Sequence, residues 1–454
     1  DDCIKWTQSG LFYDDESSQL FASLKVFEDK TFLETDELSF TEIYTYKDGD
    51  CLYFSNSVNA LVKNASVKLS PNWEAWGQVI SIGYPLGECT LFNQISRMIP
   101  GQRFFFDSQS EIKSSFKNCF WQSLNYDNKY SAISTLDDLK YIIKGSCQED
   151  THITISGGWD SRLLAGCFIK SNIGNLYGWT TDQDMGNNKD IVFSRGVCDF
   201  LGIQQNVVFP SKNRFIEDDL ENFKRIQWQT HMHTWLIQLA NSISLSNKVL
   251  LDGIAGGILI RGTFVEDFFD REIMVSTNSF NIICDKLIGI KRINNSEINQ
   301  NIIDSLVENT REKFKKTISK LSKTKDTNLS LAILLTRTIR GISSSPLNVF
   351  QNSKVCMPLI HPKILKTFLA IPLEERKDGK LYKNLLNIVM DGLEKLPSTN
   401  DPIVSAKHQF LTNQPRRCLS QKAIIYYQSS IASCEYSIKL FPPQIRKLII
   451  RSEL

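Results

Sequence analysis

One heptapeptide, Ile155-Ser-Gly-Gly-Trp-Asp-Ser161, restricts the fold of this chain more than any other stretch. The β-branched run Thr151 to Ile155 leads into it as a strand. Asp160 to Lys170 leads out of it as a helix, with Leu163, Leu164, Cys167 and Phe168 on one face. Gly157 and Gly158 let the backbone curl without Cβ clashes, so successive N–H groups can point at one anion. The helix start adds its positive end, and Ser156 and Ser161 add hydroxyl donors. A strand–loop–helix of this composition is expected to bind phosphate through Ile155, Ser156, Gly157, Gly158, Asp160 and Ser161; a glycine-rich turn without a ligand is the plain alternative. A Walker loop would place Lys after its last Gly, whereas this chain has Trp159 and Asp160. A carboxylate repels phosphate unless a divalent cation lies between them, so Asp160 points to Mg²⁺ bridging to the pyrophosphate of ATP.

The alternation continues beyond the motif. Leu176 to Thr180 reads as a second strand, Asp190 to Leu201 as a helix ended by Gly202, and Val207 to Phe209 as a third strand. Helical stretches over 214–227 and 233–246 lead to a fourth strand, Val249 to Leu251. This order predicts an α/β fold, a parallel doubly wound sheet with helices on both faces and its ligand at the carboxyl ends of the strands. Adenine is then expected near Leu176 to Trp179, with Trp179 a contact. Residues 1–112 read instead as a small β-rich unit, from short runs such as Cys51 to Phe54 and Arg103 to Phe106 bounded by turn formers. The polar stretch 113–132 is expected to link it to a second domain, 133–454, whose part beyond about 262 is mostly helical.

Composition narrows the partners. With 454 residues, two domains are expected. The 52 basic side chains nearly balance 50 acidic ones, which removes the electrostatic case for nucleic acid. The longest apolar stretch, Val249 to Ile260, is interrupted by Asp252 and is too short to cross a bilayer, so no membrane role is expected. Eleven cysteines, an odd number without a CxxC, read as unpaired thiols of a reducing compartment, and a cytoplasmic location fits them.

The SGGxDS motif after a first strand resembles that of the N-type ATP pyrophosphatases, and further segments are similar to the asparagine synthetase family. Asp36 to Tyr46 and Leu52 to Leu61 resemble the back half of its amidotransferase domain, and Thr90 to Ile95 with Ile99-Pro-Gly101 its closing turn. Met357 to His361, Lys383 to Leu386 and Leu396-Pro397 resemble its helical part. The departures matter equally. A glutamine-using member needs an N-terminal cysteine whose own amine is the base, whereas Cys3 lies behind Asp1 and Asp2. The β-rich unit is therefore expected to be a shortened amidotransferase-like domain without glutaminase activity. The family's second loop, SGxGxDE, reads Asp252-Gly-Ile-Ala-Gly-Gly-Ile258: Gly253 fits, Gly257 and Ile258 stand where carboxylates are usual, and Asp252 replaces the serine. Asp252 either shares Mg²⁺ with Asp160 or merely caps a turn.

The resemblance also implies a lysine that steadies charge as an acyl-adenylate is attacked. Lys407 fits this role or is a solvated surface residue, with Lys383 in reserve. The pair His231 and His233 lacks companions with zinc spacing and reads as structural or substrate-lining. The basic amphipathic tail Ile445 to Arg451 reads as a docked helix. Family members without glutaminase chemistry close amides intramolecularly. The shortened first domain and altered second loop resemble the lasso peptide cyclases of the microcin J25 kind, which implies an ATP-dependent macrolactam cyclase with a precursor peptide as substrate and a leader peptidase as partner. A β-lactam synthetase-like enzyme, another amide ligase, and a degenerate nucleotide-binding member are the alternatives.

Overall fold

The computed structural model describes residues 2–6, 20–28, 30–64, 69–107, 112–124, 130–147, 149–181, 189–210, 214–227, 229–230, 233–243, 248–269, 277–288, 300–319, 327–350 and 353–400. Eight short strands come first: β1 (Asp2–Trp6), β2 (Ala22–Val26), β3 (Lys30–Glu34), β4 (Tyr44–Asp48), β5 (Cys51–Ser55), β6 (Ile95–Arg97), β7 (Gln102–Asp107) and β8 (Ile112–Phe116). They form two antiparallel sheets, ordered β1-β2-β3-β7-β8 and β5-β4-β6. Helices α1 (Val58–Asn64) and α2 (Trp73–Ile82) lie between β5 and β6 in the chain. The asparagine side chain of Asn72 caps α2 by accepting from Ala75 N.

One expectation changes here. The stretch expected as a linker opens with β8, which pairs with β7 from Gln102–Phe116 to Phe106–Ile112. Three consecutive polar residues, Lys113 to Ser115, hide that strand in the sequence, because they show no period of two. Cys3 sits within β1 opposite Lys25. All the described cysteines carry free thiols.

The second half builds the expected layered fold. α3 (Ala132–Ser146) precedes β9 (Asp150–Thr154), α4 (Trp159–Lys170), β10 (Asn175–Thr181), α5 (Lys189–Leu201) and β11 (Gln204–Val208). Next come α6 (Phe215–Arg225), α7 (Leu236–Ser242), β12 (Val249–Leu251) and α8 (Gly256–Leu259). Helices α9 (Thr277–Leu287), α10 (Gln300–Ser319) and α11 (Thr327–Ile333) run into a π-helical stretch, Leu334–Ile342. They are followed by α12 (Ser344–Val349), β13 (Lys354–Cys356), α13 (Pro362–Leu369) and α14 (Lys380–Val389). The sheet order is β11-β10-β9-β12-β13, and every pairing is parallel. Winding proceeds outward from β9 through β10 to β11, while β12 and β13 lie on its other side. Right-handed crossovers then put α4 and α5 on one face and the connection into β12 on the other. The order reverses between β9 and β12, where such sheets open a crevice.

One apolar core joins both halves. Leu163, Leu164 and Phe168 of α4 meet Leu385 and Leu386 of α14, and Phe40 and Trp121 from the first part of the chain belong to the same cluster. Trp121 is 1% exposed and Leu164 is fully buried, so this contact is a shared core, not a loose touch. Among the described residues no helix is long and apolar enough to cross a membrane.

Candidate nucleotide site

The crevice between β9 and β12 holds a cavity of about 300 Å³. Ile155, Ser156, Asp160, Ser161, Trp179, Asp252 and Gly253, all named from sequence, line it. Gly157 and Gly158 do not; they turn the backbone behind it. Ile155 N donates to Trp179 O at 2.9 Å, which carries the β9–β10 ladder one residue into the loop. Gly158 then takes the N-cap position of α4 at φ −78° and ψ 177°.

The loop amides behave differently from the expectation that they gather on one anion. Ser156 N donates to Ser161 Oγ at 3.1 Å, Gly158 N to Ser156 Oγ at 3.2 Å, and Gly157 N to the carboxylate of Asp190 at 3.0 Å. Buried amides require acceptors, and this curl supplies three separate ones. The serine hydroxyls, at the cavity wall, are thus the loop's direct polar groups toward a ligand. Asp190 stands at the start of α5 and also lines the cavity.

Asp160 is the second residue of α4. Its Oδ1 accepts from the Tyr382 hydroxyl and its Oδ2 from Gly257 N, both at 2.8 Å. Burial raises its carboxyl above the usual range; these two donors and the Arg261 charge oppose the rise, and the nearby Asp252 adds to it. Asp252 lies one residue past β12, its N–H held by Cys356 O at 2.9 Å. Its Oδ1 accepts from Ile254 N at 3.0 Å, so it caps the turn, and its Oδ2 accepts from Thr154 Oγ1 at 2.9 Å on the cavity wall. Of the two roles open in the sequence, the turn cap is the one these hydrogen bonds display. Burial raises the Asp252 carboxyl too, against those two hydrogen bonds.

The second loop owes its glycines to this contact. A Cβ on Gly256 would lie 2.4 Å from the Tyr382 hydroxyl and 2.7 Å from Asp160 Cγ. Where the family resemblance leads one to expect a carboxylate, Gly257 instead presents an amide to Asp160. Two desolvated acids on one cavity suit a divalent cation. Among the described residues no three His, Cys, Asp or Glu side chains gather as a metal cage. Asp160 and Asp252 are the lining carboxylates that could hold such a cation.

Several groups escaped the sequence reading. His152 accepts the Trp179 indole N–H at its Nδ1, 2.8 Å away, and stacks on Tyr177 with centroids 5.3 Å apart. Burial lowers the His152 pKa, with Lys248 adding to the effect, and the neutral ring so favoured offers the lone pair that this bond needs. Trp235 also lines the cavity, ring to ring at 5.0 Å with His233, which the sequence did name as structural or substrate-lining. Arg162, fully buried, donates to Leu393 O, Leu396 O and Pro397 O. It thereby brings Ser398 and Thr399 onto Gly157 O, at 2.9 and 3.0 Å. Lys383 is exposed on α14, its ammonium 5.8 Å from the Trp159 ring, and is not a cavity residue. Lys407, His231 and the 445–451 tail lie outside the described residues.

No family model and no curated protein matches the chain. Among solved structures, an NMN synthetase from Francisella tularensis is similar at 12% identity, covering 46% of this chain and 93% of that one, with a TM-score of 0.23. An NH3-dependent NAD synthetase from Campylobacter jejuni subsp. jejuni NCTC 11168, in complex with the nitrate ion, is similar at 13% identity, covering 41% and 94%, with a TM-score of 0.22. Likenesses this slight assign neither a family nor a residue's role.

Proposed function

We propose that the chain is an ATP-dependent carbon–nitrogen ligase that activates a carboxylate as its adenylate, and that its substrate is a peptide closed into a macrolactam. The observation that carries the first part is the meeting of Ser156, Asp160, Ser161, Trp179 and Asp252 on one cavity at the crevice of a parallel sheet. The second part rests on the residues that resemble lasso peptide cyclases, and a precursor peptide and its leader peptidase are the partners this reading names.

Ser156 and Ser161 donate to phosphate oxygens, and the Trp179 indole, fixed by His152, offers a flat face to adenine. Asp160 and Asp252 are the residues that would hold Mg²⁺, which when bound offsets the negative charge of the triphosphate. A side-chain carboxylate oxygen of the peptide bonds to the α-phosphorus as the bond to the β-phosphate oxygen breaks, releasing pyrophosphate. The peptide's N-terminal amine then forms the amide while the acyl–oxygen bond to AMP breaks and the amine's extra proton passes to solvent. Holding both ends of one peptide in the cleft makes this second step intramolecular. Lys407 is proposed to steady the departing AMP.

Gly257 and Ile258, standing where the family resemblance leads one to expect carboxylates, favour a second reading, a nucleotide-binding homologue without turnover. Pyrophosphate release measured with and without a peptide bearing an acceptor Asp or Glu separates the two. We expect peptide-dependent release that falls about a hundredfold or more in Asp160→Ala. Stimulation by a small β-amino acid in place of the peptide would move the substrate to the lactam class. ATP binding without release under either substrate, unchanged in Asp160→Ala, would remove the ligase.

A further inference from the structure

A second polar cavity lies away from the nucleotide cleft, between the first part of the chain and the π-helix, with a volume of about 30 Å³. Two guanidinium groups line it, from Arg97 at the end of β6 and Arg340 in the π-helix, and each residue is 3% exposed. Their hydrogen bonds run away from each other. Arg97 Nη2 donates to Ser39 O at 2.6 Å, while Arg340 Nε and Nη2 donate to Pro85 O at 3.0 Å and Cys89 O at 2.8 Å. This leaves Arg97 Nε and Arg340 Nη1 buried without a hydrogen-bond acceptor among the described residues. The hydroxyl of Thr317, from α10 on the same cavity, is likewise buried without a partner among them.

The charge is unbalanced as well. Glu42 approaches Arg97 Nη2 at 3.8 Å, one buried carboxylate against two buried guanidiniums. Glu88 also lines the cavity, but its side chain is 41% exposed and faces Lys313 at 3.6 Å. Burial, with Arg97 adding its repulsion, lowers the Arg340 pKa to about 10, still far above neutral, so its guanidinium stays charged. A buried cation without a counter-charge costs several kcal/mol in general, and an unpaired N–H adds its own penalty.

We propose that this cavity binds one small monovalent anion, of the chloride class, held by Arg97 Nε–H, Arg340 Nη1–H and the Thr317 hydroxyl. Space and charge both suit it: a water needs about 10–15 Å³ of such room, so this cavity admits one halide, and a single negative charge balances the excess. The anion satisfies three donors, restores neutrality among Arg97, Arg340 and Glu42, and pins β6, α10 and the π-helix to one point. This assignment is independent of what the cleft does.

The test melts the full chain as sodium chloride replaces sodium gluconate at constant ionic strength. The melting temperature is expected to rise saturably, on the order of 3 °C, with bromide acting similarly and sulfate not. In Thr317→Val, which leaves both arginines in place, the chloride midpoint should move up threefold or more while the melting temperature in gluconate is kept. Crystals grown in sodium bromide should show an anomalous peak in contact with Arg97 Nε and Arg340 Nη1. A melting temperature indifferent to chloride, a midpoint unmoved in Thr317→Val, or density there without anomalous signal, meaning water alone, would each overturn the proposal.

Discussion

Asp160 and Asp252 hold their protons more tightly than free carboxylic acids, for which the value is about 3.9, because burial disfavours both charges. The folded chain therefore binds more protons than the unfolded chain between that value and the raised ones. Stability from these groups is greatest below the ordinary value and is lost as pH rises through the raised ones. Activity should run the other way, since a cation needs the ionised forms. The acid limb of pyrophosphate release is expected above the usual carboxylate range, and Tyr382→Phe, which removes a donor to the ionised Asp160, should move it higher still. A pH–rate profile of both proteins checks this. Asp160, Asp252 and Trp179 could be named in advance because each sits at a strand end or inside a motif. Tyr382 could not, because 222 positions separate it from the carboxylate it binds and no spacing rule spans that interval.

Among the elements, the short loop from Asp252 to Gly257 is packed tightly against the first turn of α4. Gly256→Ala would drive a methyl group into the Tyr382 hydroxyl and Asp160. It should cost about 1–3 kcal/mol of stability and slow pyrophosphate release about tenfold or more, read by urea unfolding and by the release assay. β9, β10 and β12 and the helices between them were legible from their apolar runs and from breaks of glycine or polar residues. β11 was read as Val207 to Phe209 but spans Gln204–Val208, because its polar first half, Gln204 to Asn206, carries no apolar signal. β13 was not named, and its place comes from pairing with β12. The role of the second loop was also hidden. Its departure from the family pattern reads as loss until Gly257 N is seen to serve Asp160.

At the scale of the molecule, Phe40 and Trp121, which flank the antiparallel strands, share the core of the parallel sheet. Leu164→Ala should remove about 2–5 kcal/mol, and near- and far-ultraviolet signals should still melt together, because Phe40 and Trp121 belong to the core that Leu164 fills. Two domains were expected from length; the core shared by Phe40, Trp121 and Leu164 depends on tertiary contacts no local pattern reveals. The carbonyl of Gly157 is grasped by Ser398 and Thr399, which fastens this segment to the loop that would meet ATP. Reciprocity then applies: whatever nucleotide does to that hold, loosening the hold does to nucleotide affinity by the same factor. Ser398 is buried, so the lever is a substitution: Ser398→Ala, which takes one donor from the Gly157 carbonyl, would accordingly act as an effector of the cleft.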